Sequence, residues 1–342
     1  MVLSYTSASS QRWPGGWPLD HADFLPPDEP GPMAAMLDAL RPRLLIFSRA
    51  DVWPELAWAA LARERTMALV GGMVRRGSGR LRWPLRRMLR SVYHGLEYAG
   101  AVSGPDAARL LRLGVRPDVL EITGDPRHDQ VIERTPDWST VRPLASWAAA
   151  GGVLVAGSTE PQDDRLMLEA LSHLRLRRPA ARLLLCPHQP TPARTAGIRT
   201  LAHRLGIDTL PWRGGTLEGE APCVIVERLG VLADLYLLGT LAYVGGGLGA
   251  GGVHAIIEPA ACALPVIVGA RGHAGDVSRL LQAGGAVALP WRDPLDALIR
   301  LWESWWDDEP ARRRAGLAGR QALELGAAAK TAARLLTLMA ES

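Results

Sequence analysis

Short apolar runs that do not alternate with polar residues recur along this chain, and most are followed by a helix-length amphipathic segment. The runs lie at 2–5, 44–47, 67–70, 100–103 and 119–122 in the first part, and at 153–156, 182–186, 223–226, 241–244, 265–268 and 286–289 in the second. Between them, helical spacing covers 33–40, 55–63, 106–113, 162–176, 229–238 and 278–282. A strand that is apolar on both faces has to be covered on both, so the alternation predicts an α/β protein with parallel sheets wrapped by helices. A length of 342 residues accommodates two such domains. Pro136, Pro143 and an AAAGG run precede a fresh strand at 153, which sets the expected domains at 1–135 and 153–342, joined by a linker at 136–152. Two doubly wound halves would face a cleft, a favoured place for ligands. The segment from Trp291 onward reads as a helical tail of the second domain. The first strand starts at Val2, with no strand–turn–helix unit before it, so the first domain reads as truncated.

The most concentrated signal follows the run 241–244. Six of the eight residues from Gly245 to Gly252 are glycine, and a helix-like segment carrying His254 and Glu258 comes next. A strand, a glycine turn and a helix start together form an anion site, because free N–H groups and the positive helix end converge and glycine admits close approach. The spacing is neither a P-loop nor the dinucleotide fingerprint. Glycine also serves tight strand–helix turns for purely steric reasons, and that reading stays open.

Composition excludes several classes. Hydrophobic content of 48% and charged content of 22% describe a globular chain. No apolar stretch is long enough to span a membrane. Cys186, Cys223 and Cys262 lie in or beside apolar runs without metal-ligand spacing, and read as buried thiols of a reducing compartment. The formal charge is only +4, yet Lys330 is the sole lysine and seven arginines fall between 75 and 90 without an acid. Arg75, Arg76, Arg80, Arg82, Arg86, Arg87 and Arg90, with Trp83 among leucines, suit an anionic membrane surface or an anionic amphiphile. A solvated basic helix face is the plain alternative. No base-stacking platform accompanies the patch, so nucleic acid is not an expected partner.

An ordered series of motifs carries a resemblance. LPPD at 25–28 resembles Y-L-P-x-D, and DVWP at 51–54 the second half of E-T-E-L-W-P. TGDPRHD at 123–129 resembles T-G-N-L-K-F-D, and GSTE at 157–160 resembles (G/T)-S-T-x-x-G-E. Leu229 and Gly230, followed by DLY at 234–236, resemble M-G-E-L-x-x-L-Y. The glycine-rich stretch resembles F-V-G-G-S-L-x-x-x-G-G-H-N-x-L-E-P-A-A, matched at Gly245, Gly246, Leu248, Gly251, Gly252, His254, Glu258 and Pro259. In this order, and running nearly end to end, the motifs are similar to those of the 3-deoxy-D-manno-octulosonic acid (Kdo) transferases of lipopolysaccharide synthesis.

That resemblance implies a GT-B glycosyltransferase with two Rossmann-like domains. It implies inverting transfer from a CMP-Kdo donor to an anionic lipid acceptor, a lipid A precursor, with no metal and no other cofactor. Its place would be peripheral, at the cytoplasmic face of the inner membrane. Donor contacts would fall to the Gly245, Gly246, Gly251 and Gly252 backbone, to His254 at the phosphate and to Glu258 at the ribose. Ser158 and Thr159 would present a second helix start, and Leu229 with Gly230 a third. Arg127 would meet acceptor or donor. Each has a plain counterpart: N-caps, a tight turn, a core histidine, a surface ion pair.

The departures fall on polar positions. The family's catalytic base is a glutamate in an S-V-G-E turn after the first strand, which would take the acceptor's proton. This sequence has no such segment, so its catalytic residue is unassigned; an upstream stretch of about 80 residues, judged from ordinary domain size, would supply it. Arg49 stands where the first glutamate of E-T-E-L-W-P falls, Met73 replaces an arginine of N-A-R-L-S-x-R-S, and Ala255 replaces the asparagine after His254. The family's P-R-H-P-E reads PHQPT at 187–191. Two other readings therefore stand beside the transferase: a non-catalytic nucleotide- or anionic-lipid-binding relative, and a UDP-sugar transferase or epimerase of the same architecture.

Overall fold

A computed structural model describes residues 1–6, 18–49, 52–249 and 251–341. Asp51 of the DVWP segment and most of the polar turn after the first strand lie outside the described residues. In chain order the elements begin with β1 (Val2–Tyr5), β2 (His21–Phe24), α1 (Pro30–Leu40), β3 (Leu44–Ser48), α2 (Pro54–Leu61), β4 (Thr66–Gly72), α3 (Leu85–Met88), α4 (Arg90–His94), β5 (Tyr98–Ala101), α5 (Gly104–Leu113), β6 (Leu120–Ile122) and α6 (Pro126–Glu133). Then come α7 (Trp138–Ala149), β7 (Val153–Thr159), α8 (Pro161–Arg175), β8 (Arg182–Pro187), α9 (Pro192–Arg204), β9 (Thr209–Trp212), β10 (Cys223–Val226), α10 (Leu232–Leu235) and β11 (Leu241–Val244). The chain ends with α11 (Ile257–Ala261), β12 (Val266–Val268), α12 (Asp276–Gln282), β13 (Ala286–Ala288), α13 (Pro294–Asp307), α14 (Glu309–Gln321) and α15 (Ala327–Glu341).

The chain divides into two compact units: residues 1–129 with 324–342, and residues 130–323. These limits differ from the expected 1–135, 136–152 and 153–342. The linker expected at 136–152 is mostly helix α7. Asp137 caps its start, Thr140, Val141, Leu144 and Trp147 are buried, and the Trp147 indole N–H donates to Ala221 O at 2.7 Å. The tail does not stay with the second unit either, because α15 belongs to the first.

Unit 1 explains why. Its parallel sheet runs β3-β4-β5-β6, always advancing the same way. Right-handed crossovers then place the connecting helices on one face. There Phe47, Met67, Leu69, Ala99 and Ala101 pack under α1, α2, α4 and α5. The other face would be bare apolar surface, and Leu335 and Leu338 of α15 cover it at Ala68 and Tyr98. A latch fixes the helix start. The buried Asp129 carboxylate accepts the N–H groups of Gly326 and Ala328 at 2.6 and 2.8 Å, and His128 Nδ1 accepts the Glu324 N–H at 3.1 Å. Asp129→Ala strands both donors at a helix start, and is expected to destabilise unit 1 by about 2 kcal/mol, seen as an earlier thermal unfolding transition. A transition unmoved by the substitution would mean that the latch contributes nothing.

Unit 2 holds a seven-stranded parallel sheet in the order β13-β12-β11-β7-β8-β10-β9. The chain starts at β7, winds outward through β8 to β9 and β10, then returns to β11 on the other side of β7. One face packs under α8, α9 and α13, the other under α7, α10, α11 and α12. Reversal of strand order between β7 and β11 opens a crevice outside their carboxyl ends, where such sheets take ligands.

Candidate functional site

The glycine-rich turn starts at this reversal point. Gly245 N–H donates to Gly157 O at 2.9 Å, tying the end of β11 to the end of β7. Beneath it lies Asp163, fully buried in the first turn of α8. One carboxylate oxygen of Asp163 accepts the N–H groups of Glu160 and Gly246, at 2.8 and 2.9 Å; the other accepts the Tyr243 hydroxyl at 2.6 Å. The glycines are sterically required here. A Cβ at Gly245 would sit 2.7 Å from Thr159 Cα and run into Ser158 O, and Gly246 takes φ 93° with its Cβ direction filled by Gly252 O. Gly252 itself takes φ 82°. The expected convergence of N–H groups is thus corrected for Gly245 and Gly246, whose N–H groups are already spent within the protein. No helix follows the turn directly: His254 lies in the loop, and α11 begins only at Ile257.

Ser158 and Thr159 end β7, so the second helix start is also displaced: α8 begins at Pro161 with Glu160 as its N-cap. Thr159 is fully buried and its hydroxyl donates to Asp164 at 2.6 Å, which removes it from any ligand. Ser158 is half-buried and held at φ 51°, a left-handed conformation that costs a non-glycine residue about 1–3 kcal/mol and gathers at functional sites. Behind it, Arg194 pairs with Asp164 at 2.6 Å and donates to Thr159 O at 3.1 Å. Burial pushes the Asp164 carboxyl up to about 6, with Asp163 adding to the rise and Thr159 and Arg194 opposing it. Raised above its unfolded value, this group stabilises the fold fully below about pH 4, and the contribution is lost as the pH climbs through 6. Against the non-titrating Asp164→Asn variant, wild-type stability is therefore expected to fall by up to about 3 kcal/mol between pH 4 and pH 7. Parallel denaturant melts check this, and a constant difference across that range would refute it.

Three adjacent strand ends deliver side chains to one spot on the same edge. Glu160 follows β7, His188 follows β8 and His254 lies in the loop after β11. His254 Nε2 is 3.5 Å from Glu160 Oε1, and the two imidazoles stack at 4.2 Å between centroids with 19° between planes. Partial burial, with the His254 ring beside it, pushes the His188 pKa down. Of these three, sequence reading singled out His254 alone; the GSTE and PHQPT segments contained the others without showing that they meet.

Glu258 sits in α11, half-buried, near an ion pair in which both nitrogens of Arg134 reach Asp234 at 2.7 Å. Burial raises the Glu258 pKa, Arg134 opposes the rise and Asp234 adds to it. Leu229 and Gly230 do not open a helix: they form a bend, with Gly230 at φ 80°, and α10 starts at Leu232. Gly251 is exposed, and a Cβ there would meet nothing within 4 Å.

In unit 1, Arg75, Arg76, Arg82, Arg86, Arg87 and Arg90 are exposed around Trp83, itself 76% exposed. Trp83, Arg86, Arg87, Arg90, His94 and Arg112 line an open groove of about 1000 Å³. Arg80 is half-buried, its guanidinium 3.4 Å from the Tyr93 hydroxyl. Arg127 is bound to the buried Asp125 carboxylate at 2.5 Å, the ion pair that stood as the plain alternative to its ligand contact. Asp28 of LPPD caps α2 through the N–H groups of Glu55 and Leu56. Among the described residues no helix is long and apolar enough to cross a membrane.

Comparison with known proteins agrees with the sequence motifs. Residues 2–130 match the family described as 3-Deoxy-D-manno-octulosonic-acid transferase (kdotransferase). The 3-deoxy-D-manno-octulosonic acid transferase of Haemophilus influenzae is 24% identical over 307 residues, 88% of this chain and 70% of that one. Among solved structures, a putative UDP-N-acetylglucosamine 2-epimerase from Listeria monocytogenes superposes with a TM-score of 0.66 at 13% identity, covering 95% of this chain and 84% of that one; it shows the fold, a GT-B-type α/β architecture. The 3-deoxy-D-manno-octulosonic acid transferase of Bordetella pertussis is 30% identical over 300 residues, 85% of this chain and 68% of that one. The chain belongs to the 3-deoxy-D-manno-octulosonic acid transferase family of glycosyltransferases.

Proposed function

We propose that this protein transfers Kdo from CMP-Kdo to a lipid A precursor in lipopolysaccharide synthesis, working peripherally at the cytoplasmic face of the inner membrane. The observation that carries the donor reading is the β7/β11 reversal point, where Ser158 stands at the end of β7 and the loop carrying Gly251 and His254 follows the adjacent β11. With the Gly245 and Gly246 N–H groups already bonded, side chains meet the donor phosphate here, and Glu258 takes the ribose hydroxyls. The groove of Trp83, Arg86, Arg87 and Arg90 in unit 1 supports an acceptor that is anionic and amphiphilic, because guanidinium groups bind phosphate and an exposed indole suits a membrane interface.

Calorimetry with CMP and UDP tests the donor. CMP is expected to bind more tightly, and Glu258→Gln to weaken it at least tenfold with the melting temperature unchanged. A preference for UDP would favour a UDP-sugar enzyme of the same fold instead. A second reading has one observation in its favour. Arg49, at φ 63° with a guanidinium nitrogen 3.8 Å from Met73 Sδ, puts a cation where the resemblance expects a glutamate. The protein would then hold the donor without transferring it. Radiolabelled Kdo passed from CMP-Kdo to a lipid A precursor would remove that reading, and tight CMP binding without any transfer would establish it.

A further inference from the structure

We propose that Arg271, held over the Trp291 ring, binds the carboxylate of the donor's sugar and thereby selects an acidic sugar, an inference that rests on the CMP-linked donor of the proposed function. The guanidinium carbon of Arg271 lies 3.9 Å from the centroid of the Trp291 ring. Arg271 follows β12 and Trp291 follows β13, so the pair stands at the carboxyl edge of the unit 2 sheet, on the other side of β11 from β7. Sequence reading gave neither residue a place in the site.

The loop that carries Arg271 is fastened to the glycine-rich turn. Arg271 N–H donates to Gly247 O at 2.9 Å. A Cβ at Gly272 would sit 2.7 Å from Gly252 Cα, and one at Gly247 would sit 2.8 Å from Gly269 N, so the two backbones touch. Within the loop the His273 ring donates from Nε2 to Gly269 O at 2.7 Å, and the Ser278 hydroxyl donates to His273 O at 2.8 Å. The guanidinium therefore extends from an anchored backbone, packed against the turn that leads into His254. Such anchoring limits what the loop loses on binding a ligand.

Arg134 and Arg194 of the same unit are bound to the buried carboxylates of Asp234 and Asp164. Arg271 differs: among the described residues no hydrogen bond or ion pair takes up its guanidinium, and the indole is its contact. The ring orders the long side chain and keeps water from one side of it, which strengthens an ion pair formed on the other. A planar fork of N–H donors matches a carboxylate through two parallel hydrogen bonds. CMP-Kdo brings two anionic groups, a phosphate and the carboxylate of its sugar. Ser158 and His254 are the side chains offered to the phosphate, which leaves the carboxylate for Arg271. A neutral sugar would leave the guanidinium without an anion, so the same contact that binds also selects.

Calorimetry on the full chain with CMP and with CMP-Kdo reads the carboxylate contact as the gain of the second ligand over the first. Wild type is expected to gain about tenfold or more, the scale of a charge-assisted hydrogen-bonded pair. Arg271→Gln should abolish most of that gain while CMP itself binds as to wild type, and Arg271→Lys, which lacks the fork, should restore only part of it. Trp291→Ala should reduce the gain and Trp291→Phe should keep most of it. Arg292→Gln, an equal loss of charge one residue beyond the indole, should leave it intact. Melting temperatures should not move, since Arg271, Trp291 and Arg292 are all exposed. An equal gain in wild type and Arg271→Gln overturns the proposal, and so does a gain lost equally in Arg292→Gln. Weaker binding of CMP itself to Arg271→Gln or Trp291→Ala also overturns it, by giving the pair to the phosphate or the base. CMP binding without any gain for CMP-Kdo removes this inference alone, whereas no CMP binding by wild type removes the donor reading and this inference with it.

Discussion

Asp163→Ala is expected to destabilise unit 2 by about 3–5 kcal/mol, the cost of leaving buried polar partners uncompensated. For a unit of this size that lowers the melting temperature by about 10 °C. The magnitude follows from what the carboxylate holds. It is fully buried and accepts from the Glu160 N–H, the Gly246 N–H and the Tyr243 hydroxyl. Alanine leaves three donors at the reversal point unpaired. Asp163→Asn keeps the shape and one accepting oxygen, so it should fall between wild type and alanine in stability. That oxygen can go on accepting from both Glu160 and Gly246 while the amide N–H donates to the Tyr243 hydroxyl, so CMP affinity in the asparagine variant should fall no further than its modest stability loss explains. An alanine variant that melts within about 2 °C of wild type would show that Asp163 is not the bracket described.

Much of the scaffold was legible because buried parallel strands write themselves as continuous apolar runs. Each of the eleven expected runs overlaps a strand, most with small shifts at the ends, as at Tyr98–Ala101. What escaped had a physical reason. Strand β9 reads TLPW, and its proline hides an edge strand. Helix α7 contains Pro143, a residue that usually ends or kinks a helix, although Thr140, Val141, Leu144 and Trp147 keep amphipathic spacing around it. The return of α15 to unit 1 depends on which sheet face lacks a helix, a property of strand order rather than of any local segment. The site was legible as motifs but not as roles. Asp28 and Asp129 cap helices, Thr159 and Arg127 face buried carboxylates, and the Glu160–His188–His254 group exists only because β11, β7 and β8 are neighbours.

Two glycines of one turn are expected to behave oppositely when replaced by alanine, and the contrast separates steric from ligand-facing roles. At Gly245 the added methyl would meet the backbone at Ser158 and Thr159 and the Asp163 carboxylate at 2.8 Å. None of these is the movable end of a flexible side chain, so the β7–β11 pairing has to open. Overpacking of this kind costs about 1–3 kcal/mol, and the loss of the Asp163 bonds adds to it. Gly245→Ala should therefore melt early and bind CMP poorly, both effects sharing one cause. At Gly251 the methyl meets nothing and the backbone does not need a left-handed residue, so the fold should be unaffected. If the donor approaches the open side of this turn, Gly251→Ala weakens CMP binding at an unchanged melting temperature. If Gly251→Ala binds CMP as wild type does while Gly245→Ala fails, the glycines serve only the close approach of backbone to backbone, and the donor contacts lie with Ser158, His254 and Glu258.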